Sequence, residues 1–103
     1  MTKGRYLIEF VKSAQRELEN LPRAAQRTVG HAITDLADEP RPESAKLLSG
    51  TGRERIWRLE VGDYRVLYQI EDDRLVVLVV RVADRREAYR RTDMKRLLKR
   101  LTR

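Results

Sequence analysis

Arg58, Glu60 and Arg65 stand close together in the chain, and Asp84-Arg85-Arg86-Glu87-Ala88-Tyr89-Arg90-Arg91 follows some twenty residues later. Guanidinium groups bind phosphate oxygens in pairs and stay charged at any working pH. A tyrosine among them can stack on a base or exchange a proton, and a carboxylate can accept one. Such a set can bind phosphate. Each member also has a plainer reading. Glu60 and Arg65 make an ordinary cross-strand ion pair, worth well under ~1 kcal/mol. Arg86 and Arg90 are solvated charges, and Tyr89 is a packing residue with a polar tip.

Whether these groups converge depends on the elements that carry them. Gly62-Asp63 is a two-residue hairpin turn signal between two apolar-rich runs. Counting outward from it pairs Val61 with Tyr64, Glu60 with Arg65, Leu59 with Val66, Arg58 with Leu67 and Trp57 with Tyr68. One face then collects Trp57, Leu59, Val61, Tyr64, Val66 and Tyr68, an apolar surface for helices. The other collects Arg58, Glu60 and Arg65, with Ile56 and Leu67 beside them, and need not be core.

The rest of the chain supplies the support. Tyr6, Ile8 and Phe10 alternate as in a strand. Val11, Ala14, Leu18 and Leu21 form one helical face, and Ala25, Val29, Ala32, Ile33 and Leu36 form a second beyond Pro22. The second helix ends before Glu39-Pro40, and the two make a helical hairpin. Residues 41–53 read as a loop. Strands follow at about 55–61, 64–71 and 75–82, the last apolar on both faces and therefore central. Thr92 is placed to cap a final helix with the stripe Met94, Leu97, Leu98 and Leu101. The expected fold is α+β: an N-terminal strand, a helical hairpin, a three-stranded antiparallel meander in one small twisted sheet, and a C-terminal helix. One domain over residues 1–103 suffices.

The net charge is +7, and all of it lies at one end. Residues 1–84 carry 14 Lys/Arg and 14 Asp/Glu, whereas residues 85–103 carry 9 against 2. That segment suits a polyanion or an acidic protein partner, unless it is only a solvated helix end. The chain has no cysteine, which excludes disulfides and thiolate metal sites. His31 is the single histidine, so a zinc site is not expected. Neither glycine-rich nucleotide signature occurs. The N-terminus lacks the apolar stretch of a secretory signal, and the apolar run 75–80 is too short to span a bilayer. A cytoplasmic protein with no membrane, metal or cofactor partner is the expectation.

Lys46-Leu47-Leu48-Ser49-Gly50, the run Arg58-Leu59-Glu60-Val61-Gly62-Asp63-Tyr64-Arg65-Val66-Leu67-Tyr68, and Val80-Arg81-Val82-Ala83-Asp84-Arg85-Arg86-Glu87-Ala88-Tyr89 together resemble the RelE toxins of the RelE/ParE superfamily. The opening strand and the helical hairpin fit as well. The resemblance implies the toxin of a type II toxin–antitoxin pair, RelE branch. Such a toxin is an endoribonuclease that enters the ribosome and cuts messenger RNA through attack of a 2′-hydroxyl on the adjacent phosphate, inhibiting translation. It implies Arg58, Arg65, Arg85 and Tyr89 as the catalytic set. Lys46, Arg86, Arg90 and Arg91 would be RNA contacts, and Glu60 a candidate base. A cognate antitoxin, the ribosome and messenger RNA would be the partners. Two departures touch proton transfer: Ile56 and Arg58 stand where relatives carry two lysines, and Asp84 stands where many have histidine. Two alternatives share the scaffold, a ParE-like DNA gyrase inhibitor and a degenerate toxin that only binds its antitoxin. The C-terminal stripe is expected to pack on the sheet or on the antitoxin.

Overall fold

The computed structural model describes residues 5–101; within that span the side chains of residues 91–93, 100 and 101 lie outside the described set, so the Thr92 cap and the Leu101 end of the stripe are not among the features below. Five strands form one sheet in the order β1-β5-β4-β3-β2, with β1 Leu7–Phe10, β2 Ala45–Leu47, β3 Trp57–Val61, β4 Tyr64–Glu71 and β5 Val76–Asp84. The helices are α1 Lys12–Glu19, α2 Arg23–Asp35 and α3 Arg91–Leu101.

The hairpin register matches the count from the turn, from Val61 opposite Tyr64 to Trp57 opposite Tyr68. Gly62 has φ +58, while Asp63 has no positive φ. That is the pattern of a type II′ turn, whose twist suits a two-residue connection. One sheet face is the expected apolar one. Leu59, Val66, Tyr68, Val77, Val79 and Val82 pack there with Ala14 of α1 and Val29, Ile33 and Leu36 from the region of α2. The helical spacing of those residues is why the hairpin lies on this face.

One expectation needs correction. Residues 41–53 are not all loop. Ala45–Leu47 form β2, antiparallel to β3, with Lys46 opposite Arg58. Leu48 N–H continues the pairing to Ile56 O at 2.8 Å. The sheet therefore has five strands where four were expected. The second sheet face is covered along part of its length, in keeping with the apolar run of β5 and the C-terminal stripe. Ile56, Leu67 and Val80 are buried on it beneath Leu97, with Met94, Leu98, Leu48 and Leu78 around them. The C-terminal stripe thus packs on the sheet, and β4 and β5 are covered on both faces.

β5 is an interior strand between β4 and β1, as its apolar run requires, and pairs with β1 in parallel. Its register against β4 slips between Leu67 and Tyr68: Leu67 faces Arg81, whereas Tyr68 faces Val79. The extra residue, Val80, is a β-bulge, and it shifts the alternation that follows. Val77 and Val79 point to the helical hairpin, and so does Val82 three residues on. Past Phe10 the first strand has ended, and Val82 N–H is instead taken by Glu17 Oε1 of α1 at 2.8 Å.

Away from the basic face, Asp72 in the β4–β5 turn accepts both Arg41 nitrogens, at 3.2 and 2.8 Å, and the Tyr6 hydroxyl at 2.6 Å. Arg41 also lies 5.4 Å from the centroid of the Trp57 ring. The Arg41 and Tyr6 hydrogen bonds hold the Asp72 carboxyl down at about 2 from 3.8. A carboxyl depressed on folding stabilises above its unfolded value, and that contribution is lost as pH falls through the folded one. Asp72→Asn should therefore lower the thermal midpoint at neutral pH. It should also flatten the loss of stability that the parent shows between about pH 3.8 and about pH 2; circular-dichroism melts across that window check both. On the opposite face, Leu97→Ala should cost about 2 kcal/mol by opening a cavity over Ile56 and Leu67, read from the urea midpoint at unchanged slope.

Candidate functional site

Alternation along β3 puts Arg58 and Glu60 on the face that α3 partly covers, beyond the end of that cover. Arg58 Nη1 meets Glu60 Oε2 at 2.5 Å, an i,i+2 pair along one strand. The expected cross-strand pair does not form. Glu60 and Arg65 are Cα partners, but Arg65 Nη1 donates to Gly62 O and Tyr64 O, both at 2.9 Å. The tight turn leaves those carbonyls within reach of Arg65, and Arg58 already holds the carboxylate.

Arg58 is the hub. Its neighbour across β2 is Lys46. The Tyr89 hydroxyl lies beside it and, ahead of the Glu60 charge, holds the guanidinium above its ordinary pKa. Lys46, Ser49, Arg58 and Tyr89 line one open concavity of about 300 Å³. Residues 46 and 89 are far apart in sequence, and the β2–β3 pairing together with the loop after β5 brings them there.

That loop is pinned at both ends. Arg85 N–H donates to Asp63 O of the hairpin turn at 2.8 Å. Arg81 Nη2 donates to Glu87 O at 3.0 Å. Ala88 is fully buried beneath the loop. Arg85 itself is exposed, and its guanidinium has no partner among the described residues. Arg65 and Arg85 therefore sit at the hairpin-turn end of the face, with Arg58, Lys46 and Tyr89 further along it.

The remaining candidates are not gathered in. Arg86 pairs with Asp84 at 3.7 Å and its side chain is 84% exposed. Arg90 pairs with Glu87 at 2.8 Å. The Arg91 side chain lies outside the described residues. Three contributors went unread in the sequence. Arg81 positions the loop from a strand otherwise apolar, and a lone arginine within Val-Val-Arg-Val is the kind of local conflict that signals such a role. Glu17 and Ser49 carry no comparable signal. Among the described residues, no three His, Asp or Glu side chains gather as a metal site would need, and no helix is long and apolar enough to cross a membrane.

A family model described as the ParE toxin of type II toxin–antitoxin systems matches residues 8–89. Toxin RelG of Mycobacterium tuberculosis is 37% identical over 90 residues, covering 84% of this chain and 98% of that one. The mRNA interferase toxin RelE of Escherichia coli is 28% identical over 86 residues, covering 82% and 90%. Among solved structures, the archaeal RelE–RelB complex from Pyrococcus horikoshii superposes with a TM-score of 0.69 at 29% identity, covering 82% of this chain and 99% of that chain.

The Arg58–Glu60 pair makes a measurable statement about anions. Glu60→Gln removes the carboxylate that occupies Arg58 and adds one net positive charge to the face. Binding of a non-cleavable 2′-O-methyl RNA oligomer should tighten several-fold, with the salt slope steeper by about one. Fluorescence anisotropy at a series of salt concentrations checks this. Unchanged affinity and slope would place the RNA path away from Arg58.

Proposed function

The chain belongs to the RelE/ParE superfamily of type II toxin–antitoxin toxins, on the RelE branch, and from that premise we propose that it is an endoribonuclease that cuts messenger RNA on the ribosome. The observation that carries this reading is the concavity in which Lys46, Arg58 and Tyr89 come together beside Glu60. A surface for protein binding alone has no need of that combination of phosphate-binding, stacking and proton-accepting groups.

In the proposed reaction the 2′-hydroxyl oxygen attacks the adjacent phosphorus. Its proton passes to a base, and the 5′-oxygen leaves with a proton. The products are a cyclic phosphate and a free 5′-hydroxyl. Lys46 and Arg58 hold the phosphate. Arg85, exposed and unengaged among the described residues, and Arg65 offer charge to the pentavalent phosphorane, as fixed donors do wherever anionic charge develops. Arg65 has first to release the Gly62 and Tyr64 carbonyls. Tyr89 orients the nucleotide against Arg58 or carries a proton. Glu60 is the candidate base, since Ile56 and Asp84 stand where relatives have lysine and histidine. Its place 2.5 Å from Arg58 makes it a base only once phosphate displaces it from that guanidinium. Activity that waits for RNA held in place by the ribosome follows naturally from such a pairing.

The partner in this reading is a cognate antitoxin, supported by a structural neighbour that is itself a toxin–antitoxin complex. The unbalanced charge of residues 85–103 suits an acidic segment. Gyrase inhibition, the alternative on the same scaffold, has no observation of this chain in its favour and serves as the other arm of the test.

Mapping RNA 5′ ends in cells expressing the chain, against Arg85→Ala and Arg58→Ala controls, separates the two. New ends inside translated codons, reduced about 100-fold by either substitution, support the nuclease. Growth arrest with intact messengers, undiminished in an Arg85→Ala/Tyr89→Ala double variant, would overturn it in favour of gyrase. Glu60→Gln should cut poorly although it binds RNA more tightly, the signature of a group needed in the transition state rather than for binding.

A further inference from the structure

Asp35, Asp38 and Glu39 stand where a helix end favours cations. α2 finishes here with no basic residue in its last turn, so the carboxylates add to the negative end of its dipole. Asp38 N–H and Glu39 N–H both return to Asp35 O, at 3.1 Å each, and one turn of backbone therefore carries all three side chains. Arg5 answers Asp38 at 3.0 Å, with side chains 66% and 68% exposed. Asp35 and Glu39 are exposed and have no ion pair among the described residues.

These carboxylates rim a concavity of about 430 Å³ between the end of α2, the segment after it and β3. Buried Leu36 and Leu59 form its floor, and half-buried Pro42 and Val61 flank them. Glu60 reaches its border but is held by Arg58. An apolar floor under an acidic rim suits long cationic side chains. Their methylene stems cover alkyl groups while the charged heads meet carboxylates. RNA and acidic segments are repelled from such a surface. A purely apolar segment would leave the carboxylates unanswered.

The chain itself carries a matching surface. α3 buries Leu97 against the sheet, while Lys95, Arg96 and Lys99 are exposed on its outer side. Lys95 and Lys99 are one helical turn apart, the spacing that also separates Asp35 from Glu39. α2 and α3 cover opposite faces of the sheet, so the two surfaces cannot meet within one copy. We propose that the acidic concavity is a docking site for a second copy of this chain, which lays the Lys95–Arg96–Lys99 ridge of its α3 across the carboxylates of α2. Donor and acceptor surfaces differ, so the contact is head-to-tail and open-ended. The net charge of +7 on each copy opposes it and keeps it weak and reversible. Ions screen the exposed charges that make it. The contact is independent of the RNA reading.

Sedimentation velocity of the full-length chain over a concentration series tests this. The weight-average mass should climb past the dimer at low salt without levelling, and fall to the monomer at high salt. Asp35→Lys/Glu39→Lys, which leaves the Arg5–Asp38 pair in place, should weaken association about tenfold. Lys95→Glu/Lys99→Glu should do the same. Mixed together, the two variants should associate again, although both remain net positive. The intact ridge of the first then meets the intact concavity of the second, and the two reversed surfaces meet likewise. A parent chain that stays monomeric at low salt overturns the proposal. So does association that either variant leaves undiminished, or a mixture that stays monomeric while circular dichroism shows both variants folded. Binding of a capped lysine–alanine repeat peptide to the monomeric parent, lost in Asp35→Lys/Glu39→Lys, would assign the concavity to a separate cationic partner and remove the second copy from it.

Discussion

The register of the β3–β4 hairpin is the constraint from which the rest follows. Side chains alternate along a strand, so a slip of one residue would exchange Leu59 and Val66 for Arg58 and Arg65. The arginines would then be buried against α1 and α2, and the valine and leucine exposed. Gly62 holds the register because its φ of +58 is strained for any residue with a Cβ, even though open space surrounds it. The same turn supplies Asp63 O to Arg85 N–H. A single two-residue connection therefore sorts the two faces and anchors the loop that carries Tyr89.

Two covers on one sheet create a second requirement. β5 must feed apolar residues to α1 and α2 on one side and to α3 on the other, yet still end at a basic site. The bulge at Val80 reconciles these. Strict alternation from Val77 and Val79 would send Arg81 into the helical hairpin, where an arginine has no answering charge in the apolar cluster. One inserted residue puts Val82 there instead and turns Arg81 toward the loop it holds through Glu87 O. The backbone group left without a ladder partner, Val82 N–H, is satisfied by Glu17. A carboxylate on α1 thereby supports the strand end from which the functional loop departs.

Much of this was legible in the sequence because it depends on short-range rules. The turn at Gly62-Asp63, the alternation around it and the helical spacing of Ala14, Leu18, Val29 and Ile33 each specify local geometry directly. What escaped was decided by partners distant in the chain. Residues 45–47 are too few to show a period, and they are a strand only because β3 offers an edge. The bulge lies at the end of the apolar run 75–80, whose residues suit either face, so the run itself shows no phase shift. Cα pairing alone offers Glu60 to Arg65. Side-chain reach settles the matter differently, since the turn carbonyls capture Arg65. That Tyr89 touches Arg58 follows from the loop's two anchors, which no spacing in the sequence encodes.

The β2–β3 pair contains a local conflict that the fold does not need. Lys46 and Arg58 are directly opposite, an arrangement of like charges that weakens a sheet. Arg55, which leads into the same strand, holds a left-handed φ of 46, where a residue with a Cβ is strained. Glu60 offsets part of the repulsion, but from one side, and it leaves Lys46 without a partner among the described residues. An anion in the cleft would relieve what Glu60 cannot, answering both cations at once. The free protein thus holds at this edge an electrostatic cost that binding removes. Two ligands of quite different kinds meet that description, a phosphodiester and an acidic antitoxin segment. A toxin restrained by its antitoxin would use the same unbalanced charge for attack and for its own inhibition.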